Sequence, residues 1–400
     1  MKTHLPSLML AAGLILALSG CNRHSHTSTS STAATPKKTT AAAPAAPTPL
    51  VAGVKVKNAV LARGLDYLVK TQGKNGSWMP FAGPAVTALA VKALVQAGVP
   101  ASNPVIVKAM KFIEATHQPD GGFYVGNALQ NYNTCIVLST LAVLPRQEYQ
   151  KQITQAQHYL ISLQRVGPMK NNKGQVITPK SGWYGGVGYG TGRPDLSNTS
   201  FFISALRDSG LPASNPAIQR ALVFVSHCQE DSETNPMPFA RGLHNGGFIY
   251  SAANGGISSA GDRDQVNGPP ILSAYGSMTY AGLKSMVYAG LTKNSRRVKA
   301  AIEWIRGHWT LNYNPGTGES KEGLFYYYLM FGKAFHALRI NTITDVNGIK
   351  HNWRRELTAK LASLQRKDGS WKNIWSTRWL EFNPQLVTCY ACLDLEAAGQ

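Results

Sequence analysis

The chain has 400 residues, of which 44% are hydrophobic and only 15% are charged, and this composition excludes a disordered or coiled-coil protein. Lysine and arginine total 40 against 20 aspartates and glutamates, so the formal net charge is +20. The basic residues are scattered in pairs such as Lys37-Lys38. We therefore expect an anionic partner or a generally basic surface, but no nucleic acid.

The first residues have the pattern of a bacterial export signal. A basic start is followed by an apolar stretch over residues 5–18, and Leu18-Ser19-Gly20-Cys21 resembles a lipobox. We predict a signal peptide over residues 1–20, lipidation of Cys21 and anchorage to a membrane of the cell envelope. An ordinary signal peptide with an incidental cysteine is the alternative. Residues 21–50 are rich in Ser, Thr, Ala and Pro, which predicts a disordered tether.

Residues 51–400 contain six copies of a helical repeat. The two clearest copies place Gly-Ser-Trp at the same distance after a glutamine, from Gln72 to Trp78 and from Gln365 to Trp371. Weaker copies have Gln118 with Phe123, Gln164 with Gly182-Trp183, Gln229 with Phe248, and Trp304 to Trp309 followed by Gly323-Leu324-Phe325.

A second apolar helix follows each copy. A threonine recurs near its start, at Thr87, Thr134, Thr199, Thr279 and Thr388, and Tyr327 stands at about that place in the fifth copy. The periodicity predicts twelve helices in six pairs, and a single helical pair cannot bury its apolar face alone. Because the repeats differ in length, we predict a closed ring rather than an open solenoid: an all-α fold, the α6/α6 toroid.

The spacing Gln-x-x-x-Gly-x-Trp resembles the QW motif of squalene and oxidosqualene cyclases, and protein prenyltransferase β-subunits carry related repeats. Residues 57–398 are thus similar to this terpenoid cyclase and prenyltransferase superfamily. The resemblance implies a barrel of six inner and six outer helices, in which the glutamine and tryptophan join adjacent hairpins and are not catalytic. If the chain is an enzyme, the resemblance implies isomerase or transferase chemistry.

A catalytic segment of the superfamily has a counterpart here. Squalene–hopene-type cyclases protonate their substrate with the middle residue of Asp-x-Asp-Asp-Thr, and this resemblance places Asp195 and Thr199 in register, with Ser197 at the acid position and Asn198 at the last aspartate. These four residues and Tyr327 are the candidate catalytic residues. A serine hydroxyl cannot supply the proton, so cyclisation by the usual mechanism is not predicted.

The zinc site of prenyltransferases has no counterpart. Glu322-Gly323-Leu324 lacks the cysteine of the family's Asp-x-Cys pair, and Val387 stands where the family has histidine. We predict no metal and no cofactor. Cys389 and Cys392 lie in an apolar helical pattern and are interpreted as core residues, with a disulfide or metal site as the minor alternative.

The cavity of a toroid should be lined by the starts of its inner helices, which are rich in aromatic residues here. The candidate substrate-cavity residues are Tyr132, Phe201, Tyr275, Tyr280, Glu322, Tyr326 and Trp375. They favour an isoprenoid or similar hydrophobic small molecule as ligand. The alternatives are a non-catalytic binding or scaffold protein of the envelope, and a lyase or glycosidase acting on an acidic glycan.

Overall fold

The computed structural model describes residues 54–265 and 268–399. The predicted signal peptide, Cys21 and the tether lie outside these residues. The described residues form twelve α-helices and three two-stranded antiparallel sheets. None of the helices in these ranges is long and apolar enough to cross a membrane.

The helices alternate between an outer and an inner layer. The outer helices are α1 (Ala59–Lys70), α3 (Pro104–Glu114), α5 (Arg146–Ser162), α7 (Pro216–His227), α9 (Arg296–Gly307) and α11 (Trp353–Leu364). The inner helices are α2 (Ala85–Gln96), α4 (Gln130–Leu141), α6 (Leu196–Asp208), α8 (Gly276–Tyr288), α10 (Leu324–Leu338) and α12 (Pro384–Gly399). Each inner helix packs against the next, and α12 packs against α2, so the ring closes. The predicted α6/α6 toroid is confirmed.

The strands are additions to the ring. Strand β1 (Gln229–Asp231) pairs with β2 (His244–Phe248), and β3 (Asp262–Gln265) with β4 (Gly268–Leu272), both between α7 and α8. Strand β5 (Thr342–Thr344) pairs with β6 (Lys350–Asn352) between α10 and α11. The longest insertion is therefore in the loop that leads into α8.

Burial separates the two layers. Helix α1 buries one face, which includes Leu61, Leu65 and Leu68, and its other residues reach solvent. Helix α2 buries every residue from Ala85 to Val91. Outer helices such as α1 therefore show the amphipathic period in the sequence, whereas inner helices such as α2 and α4 are buried on nearly all sides.

The repeated glutamines join neighbouring repeats. The Gln72 side-chain amide donates to the carbonyl of Gly76, 3.0 Å away in its own loop, and to that of Val105, 2.8 Å away in the first turn of α3. Gln365 donates in the same way to Gly369 and to Val60 in α1, each at 2.9 Å. The sixth repeat is thereby tied to the first.

The repeated threonines fix each inner helix to the loop before it. The Thr87 hydroxyl accepts a hydrogen bond from the backbone N–H of Trp78 at 3.0 Å, and Thr388 accepts one from Trp371 at 3.1 Å. Both indole N–H groups donate to carbonyls of the preceding outer helix at 2.8 Å. These motif residues thus hold the hairpins together.

Two repeats depart from the predicted alignment. Thr199 accepts its hydrogen bond from Val187, so the third loop is centred on Val187 and not on Gly182-Trp183 as predicted. Trp183 packs instead in a separate small apolar cluster. In the fifth repeat the Tyr327 hydroxyl donates to the carbonyl of Thr310 at 2.6 Å. Tyr327 therefore takes the place of the repeated threonine.

The four cysteines of the ring are buried and unpaired. Cys389 and Cys392 both belong to α12, and burial raises the pKa of each thiol. Neither forms a disulfide, so they serve as small core residues.

Candidate functional site

The candidate site lies at the end of the ring where the inner helices begin, which we call the entrance. Every inner helix follows an outer helix, so all six run in the same direction and their N-terminal ends meet there. The loops leading into them contain nearly all the described non-glycine residues with positive φ: Met79, Leu129, Asn254, Glu319, Trp379 and Leu380. Such backbone conformations cost energy and concentrate at functional sites.

Asp195 caps the N-terminus of α6. Its Oδ1 accepts from the backbone N–H of Asn198 and its Oδ2 from the Asn198 side-chain amide, both at 2.8 Å. Burial raises the pKa of Asp195 to about 6, although hydrogen bonds from Asn198 and Tyr250 oppose the rise. Both carboxylate oxygens are therefore engaged in holding the helix start.

The other residues of the predicted catalytic segment separate into two roles. Ser197 points to the entrance, where its hydroxyl lies 2.8 Å from that of Tyr326. The Asn198 side chain is buried and its Oδ1 accepts from the amide of Asn131 at 3.1 Å. Thr199 is buried against the preceding loop. Of this segment, the structure brings only Ser197 to a partly exposed position at the entrance.

Six tyrosines surround this position, and we call them the tyrosine cluster: Tyr132, Tyr189, Tyr250, Tyr275, Tyr326 and Tyr390. The hydroxyls of Tyr132 and Tyr390 lie 3.2 Å apart. The ring of Phe201 lies 5.2 Å from that of Tyr132 and 6.2 Å from that of Tyr326. Tyr189, Tyr250 and Tyr275 interact electrostatically with Asp195.

The tyrosine hydroxyls remain protonated. Burial raises the pKa of Tyr132 to about 12 and that of Tyr326 and Tyr390 well above its usual value. At neutral pH these groups donate and accept hydrogen bonds, and they do not act as bases.

Glu381 is the second buried carboxylate at the entrance. It lies in the loop before α12, and its Oε1 accepts from the backbone N–H of Tyr326 at 2.7 Å while Oε2 accepts from the Asn373 amide at 2.8 Å. Burial raises the pKa of Glu381 to about 7, and these hydrogen bonds oppose the rise. Helix α10 follows Gly323 and has no cap of its own, so Glu381 supplies one from another loop.

Exposed apolar side chains form a rim beside the entrance, in the loops before α2 and α12. The rim consists of Phe81, Ile374, Trp375, Trp379 and Phe382. Lys321 Nζ lies 4.2 Å from the ring centroid of Trp375, and the Arg378 guanidinium lies 4.5 Å from that of Trp379. Arg378 also pairs with Glu322 at 2.6 Å. Of the predicted cavity residues, Trp375 therefore belongs to this rim, and Glu322 lies beside it through its ion pair with Arg378.

The structure places two predicted residues away from the entrance. Tyr280 and Tyr327 are fully buried between the layers, with ring centroids 5.7 Å apart. The rings of Phe331 and Phe335 lie 5.1 and 5.5 Å from Tyr280. This aromatic cluster packs α8 and α10 together.

The sequence reasoning missed Tyr250 and Tyr390. A signal for Tyr390 was present, because it stands two residues after Thr388 and is thus rotated by about 200° to the opposite side of the helix. Tyr250 lies in a loop, where no helical periodicity shows the direction of a side chain. Among the described residues, no group of histidine, cysteine, aspartate or glutamate side chains is arranged to hold a metal ion.

The fold is shared with other solved structures. A protein from Actinoplanes aligns with a TM-score of 0.50 at 16% identity, over 85% of this chain and 99% of its own. An alpha-amylase from Clostridium perfringens aligns with a TM-score of 0.50 at 11% identity, over 85% and 98%. The type II terpene cyclase MstE from Scytonema gives 0.48 at 13% identity, over 85% and 97%. No protein-family model and no curated protein matches the chain. At these identities the likeness shows the fold alone.

Proposed function

We propose that the chain binds an isoprenoid or similar hydrophobic molecule at the entrance and does not cyclise it. One observation carries the proposal: the hydroxyl pair of Ser197 and Tyr326 stands beside the aromatic floor made by Phe201 and Tyr132. Such a surface offers apolar contact to the body of a ligand and hydrogen bonds to its polar end.

The apolar contact comes from the rings at the entrance and from the rim. Trp375 and Trp379 each expose 46% of their surface, which is unusual for side chains of this size. Contiguous exposed apolar surface is typical of ligand and protein binding sites. A hydrophobic ligand would cover it.

The polar contact comes from two hydroxyl pairs. Ser197 with Tyr326, and Tyr132 with Tyr390, each contain two O–H groups, and the bond inside a pair uses one of them. The second O–H of each pair is available to a ligand oxygen. A hydroxyl head group matches this arrangement.

Among the described residues, the two buried carboxylates of the entrance are both engaged in holding helix starts, which supports binding without cyclisation. Asp195 is buried with both oxygens engaged at the start of α6, and Glu381 is engaged at the start of α10. Protonation of an alkene needs a free, protonated acid against the substrate. Ser197 occupies the corresponding position and has only a hydroxyl.

Farnesol, an isoprenoid alcohol, is a suitable probe. We expect it to change the tryptophan fluorescence of the protein, to bind less tightly to Tyr326→Phe and Trp375→Ala, and to be recovered unchanged by mass spectrometry. Tyr149→Phe, on the outer helix α5, is the matched control and should bind like wild type. Equal binding by all variants would contradict the proposal, and a cyclised product would contradict its second part.

An acidic glycan is the second candidate, because Lys321 and Arg378 lie against Trp375 and Trp379 at the rim. Tetragalacturonate tests it in the same assay. If tetragalacturonate binds and farnesol does not, the glycan replaces the isoprenoid, and depolymerisation of the probe would indicate an enzyme. A further part of the proposal rests on sequence alone: Cys21 is lipidated and holds the protein at a membrane of the cell envelope.

A further inference from the structure

A cavity lies on the axis of the ring, at the end opposite the entrance. It encloses about 260 Å³ and is lined by residues of all six inner helices, most of them near the C-terminal ends. Leu89, Ile136 and Leu393 contribute apolar walls, while other lining residues are charged. The volume suits a small molecule of about ten non-hydrogen atoms.

One ion pair marks where the cavity meets solvent. Lys92 Nζ lies 3.2 Å from Asp208 Oδ2, and these side chains are 12% and 27% exposed. Burial acts to raise the pKa of Asp208, but Lys92 and Lys333 outweigh it and hold the pKa below its usual value. Lys92 and Asp208 therefore already satisfy each other.

Two other ionisable groups on the wall form no ion pair with a described residue. Glu396 is only 8% exposed, and neither of its carboxylate oxygens has a hydrogen-bond partner among the described residues. Lys333 forms no ion pair with any residue that the structure describes. A buried polar group without a partner is destabilising, so proteins rarely keep one without a reason. An acceptor and a donor that face the same small cavity point to a ligand carrying both kinds of group.

We propose that this cavity binds a small zwitterion of amino-acid size. Its anionic group pairs with Lys333, its ammonium group pairs with Glu396, and its aliphatic side chain packs on Leu89, Ile136 and Leu393. A ligand with a single charge would leave either Lys333 or Glu396 without a partner of opposite charge, and an uncharged polyol would pair with neither. The inference does not depend on what binds at the entrance.

Three related probes separate these possibilities: L-leucine, N-acetyl-L-leucine, which keeps only the anion, and L-leucinamide, which keeps only the cation. By calorimetry on the full chain we expect L-leucine to bind and each derivative to bind at least tenfold more weakly. Lys333→Met and Glu396→Gln should each weaken L-leucine binding at least tenfold. Lys299→Met and Glu303→Gln, on the exposed face of α9, are matched controls and should bind like wild type.

Proton release gives a readout specific to Glu396. Burial raises the pKa of Glu396 well above its usual value although Lys92 and Lys333 oppose the rise, which favours the protonated carboxyl in the free protein. A ligand ammonium would displace that proton, and the heat of binding would depend on the buffer in wild type but not in Glu396→Gln. This variant is nearly isosteric and keeps the test valid if Lys333→Met does not fold. Absence of L-leucine binding, or equal affinity for all three probes, overturns the proposal.

Discussion

Most substitutions in a protein core are destabilising, but we predict that replacing the buried Lys284 is stabilising. It lies in α8, is 1% exposed, and forms no ion pair among the described residues. Its Nζ lies 4.0 Å from the sulfur of Met330 and 5.6 Å from the ring centroid of Phe201. Neither contact replaces the hydration that an ammonium group loses on burial. We therefore expect Lys284→Met to stabilise the protein.

The magnitude follows from the desolvation of one polar group. Mutational data show that burying a polar group without a hydrogen bond costs about 1–3 kcal/mol of stability. Methionine fills nearly the same volume as lysine, so the substitution should leave no cavity. Burial lowers the pKa of Lys284 well below its usual value; Lys333 and Lys92 add to the effect, and Asp208 and Cys135 oppose it. The free energy of unfolding of Lys284→Met should thus exceed that of wild type by about 1–3 kcal/mol at pH 7.

The pH dependence gives the prediction a second test. Between its lowered pKa in the folded state and 10.5, the unfolded chain binds a proton on Lys284 that the folded state releases, so the stability of wild type increases as the pH rises through this range. Methionine has no such proton, and the advantage of the variant should shrink towards pH 10. Urea unfolding followed by circular dichroism at pH 7 and 9.5 measures both effects. The control, Lys299→Met, should change stability by less than about 0.5 kcal/mol. A destabilised Lys284→Met would refute the reasoning, because it would mean that the amine has a partner.

Three further predictions concern other parts of the chain. Gln365→Leu removes the hydrogen bonds that tie the sixth repeat to the first, and it should lower the free energy of unfolding by about 2 kcal/mol. The side-chain amide of Gln118 donates only within its own repeat, so Gln118→Leu should lower the free energy of unfolding by about half as much. Urea titration measures both variants. The pKa of Asp195 is raised to about 6, so the folded state keeps a proton that the unfolded chain has already released. As the pH rises from 4 to 6, wild type should therefore lose stability relative to Asp195→Asn, on the order of 3 kcal/mol. A difference in the free energy of unfolding that stays constant over this range would contradict the prediction. Cys21→Ser should release the protein from the membrane fraction and abolish labelling by a fatty-acid analogue; an unchanged distribution would favour an ordinary signal peptide.

The fold could be predicted because the residues that recur in the sequence are those whose hydrogen bonds hold the repeats together. Gln365 and Trp371 recur with Gln72 and Trp78 since each pair makes the same hydrogen bonds to its own loop and to helices of the ring. The identity of the third loop could not be predicted. Val187 occupies the place of the aromatic residue in the third loop. The hydrogen bond to Thr199 comes from the backbone N–H of Val187, so it needs no aromatic side chain.

The site was harder to predict because a sequence motif identifies which residues lie at the start of an inner helix but not the direction in which each side chain points. Tyr327 stands where the other repeats have threonine, and its hydroxyl makes the loop contact, so it faces the outer layer. Its neighbour Tyr326 is rotated by about 100° and reaches the entrance. The same rule explains Tyr280, which follows Thr279 by one residue and is directed between the layers. Reading positions two residues from each threonine identifies Tyr132, Ser197, Phe201 and Tyr390.

Phe201 explains why the two ends of the ring can serve different ligands. Its ring contacts Tyr132 and Tyr326 on the side of the entrance, and it also lines the cavity at the opposite end. Lys284 lies beyond the same ring, so the surroundings change there from tyrosine hydroxyls to charged groups. A cyclase needs a single apolar chamber long enough for its substrate, and here an aromatic side chain divides the axis. Under the two proposals, the entrance would hold one end of a hydrophobic molecule, and the ligand of the charged cavity would enter from the opposite end.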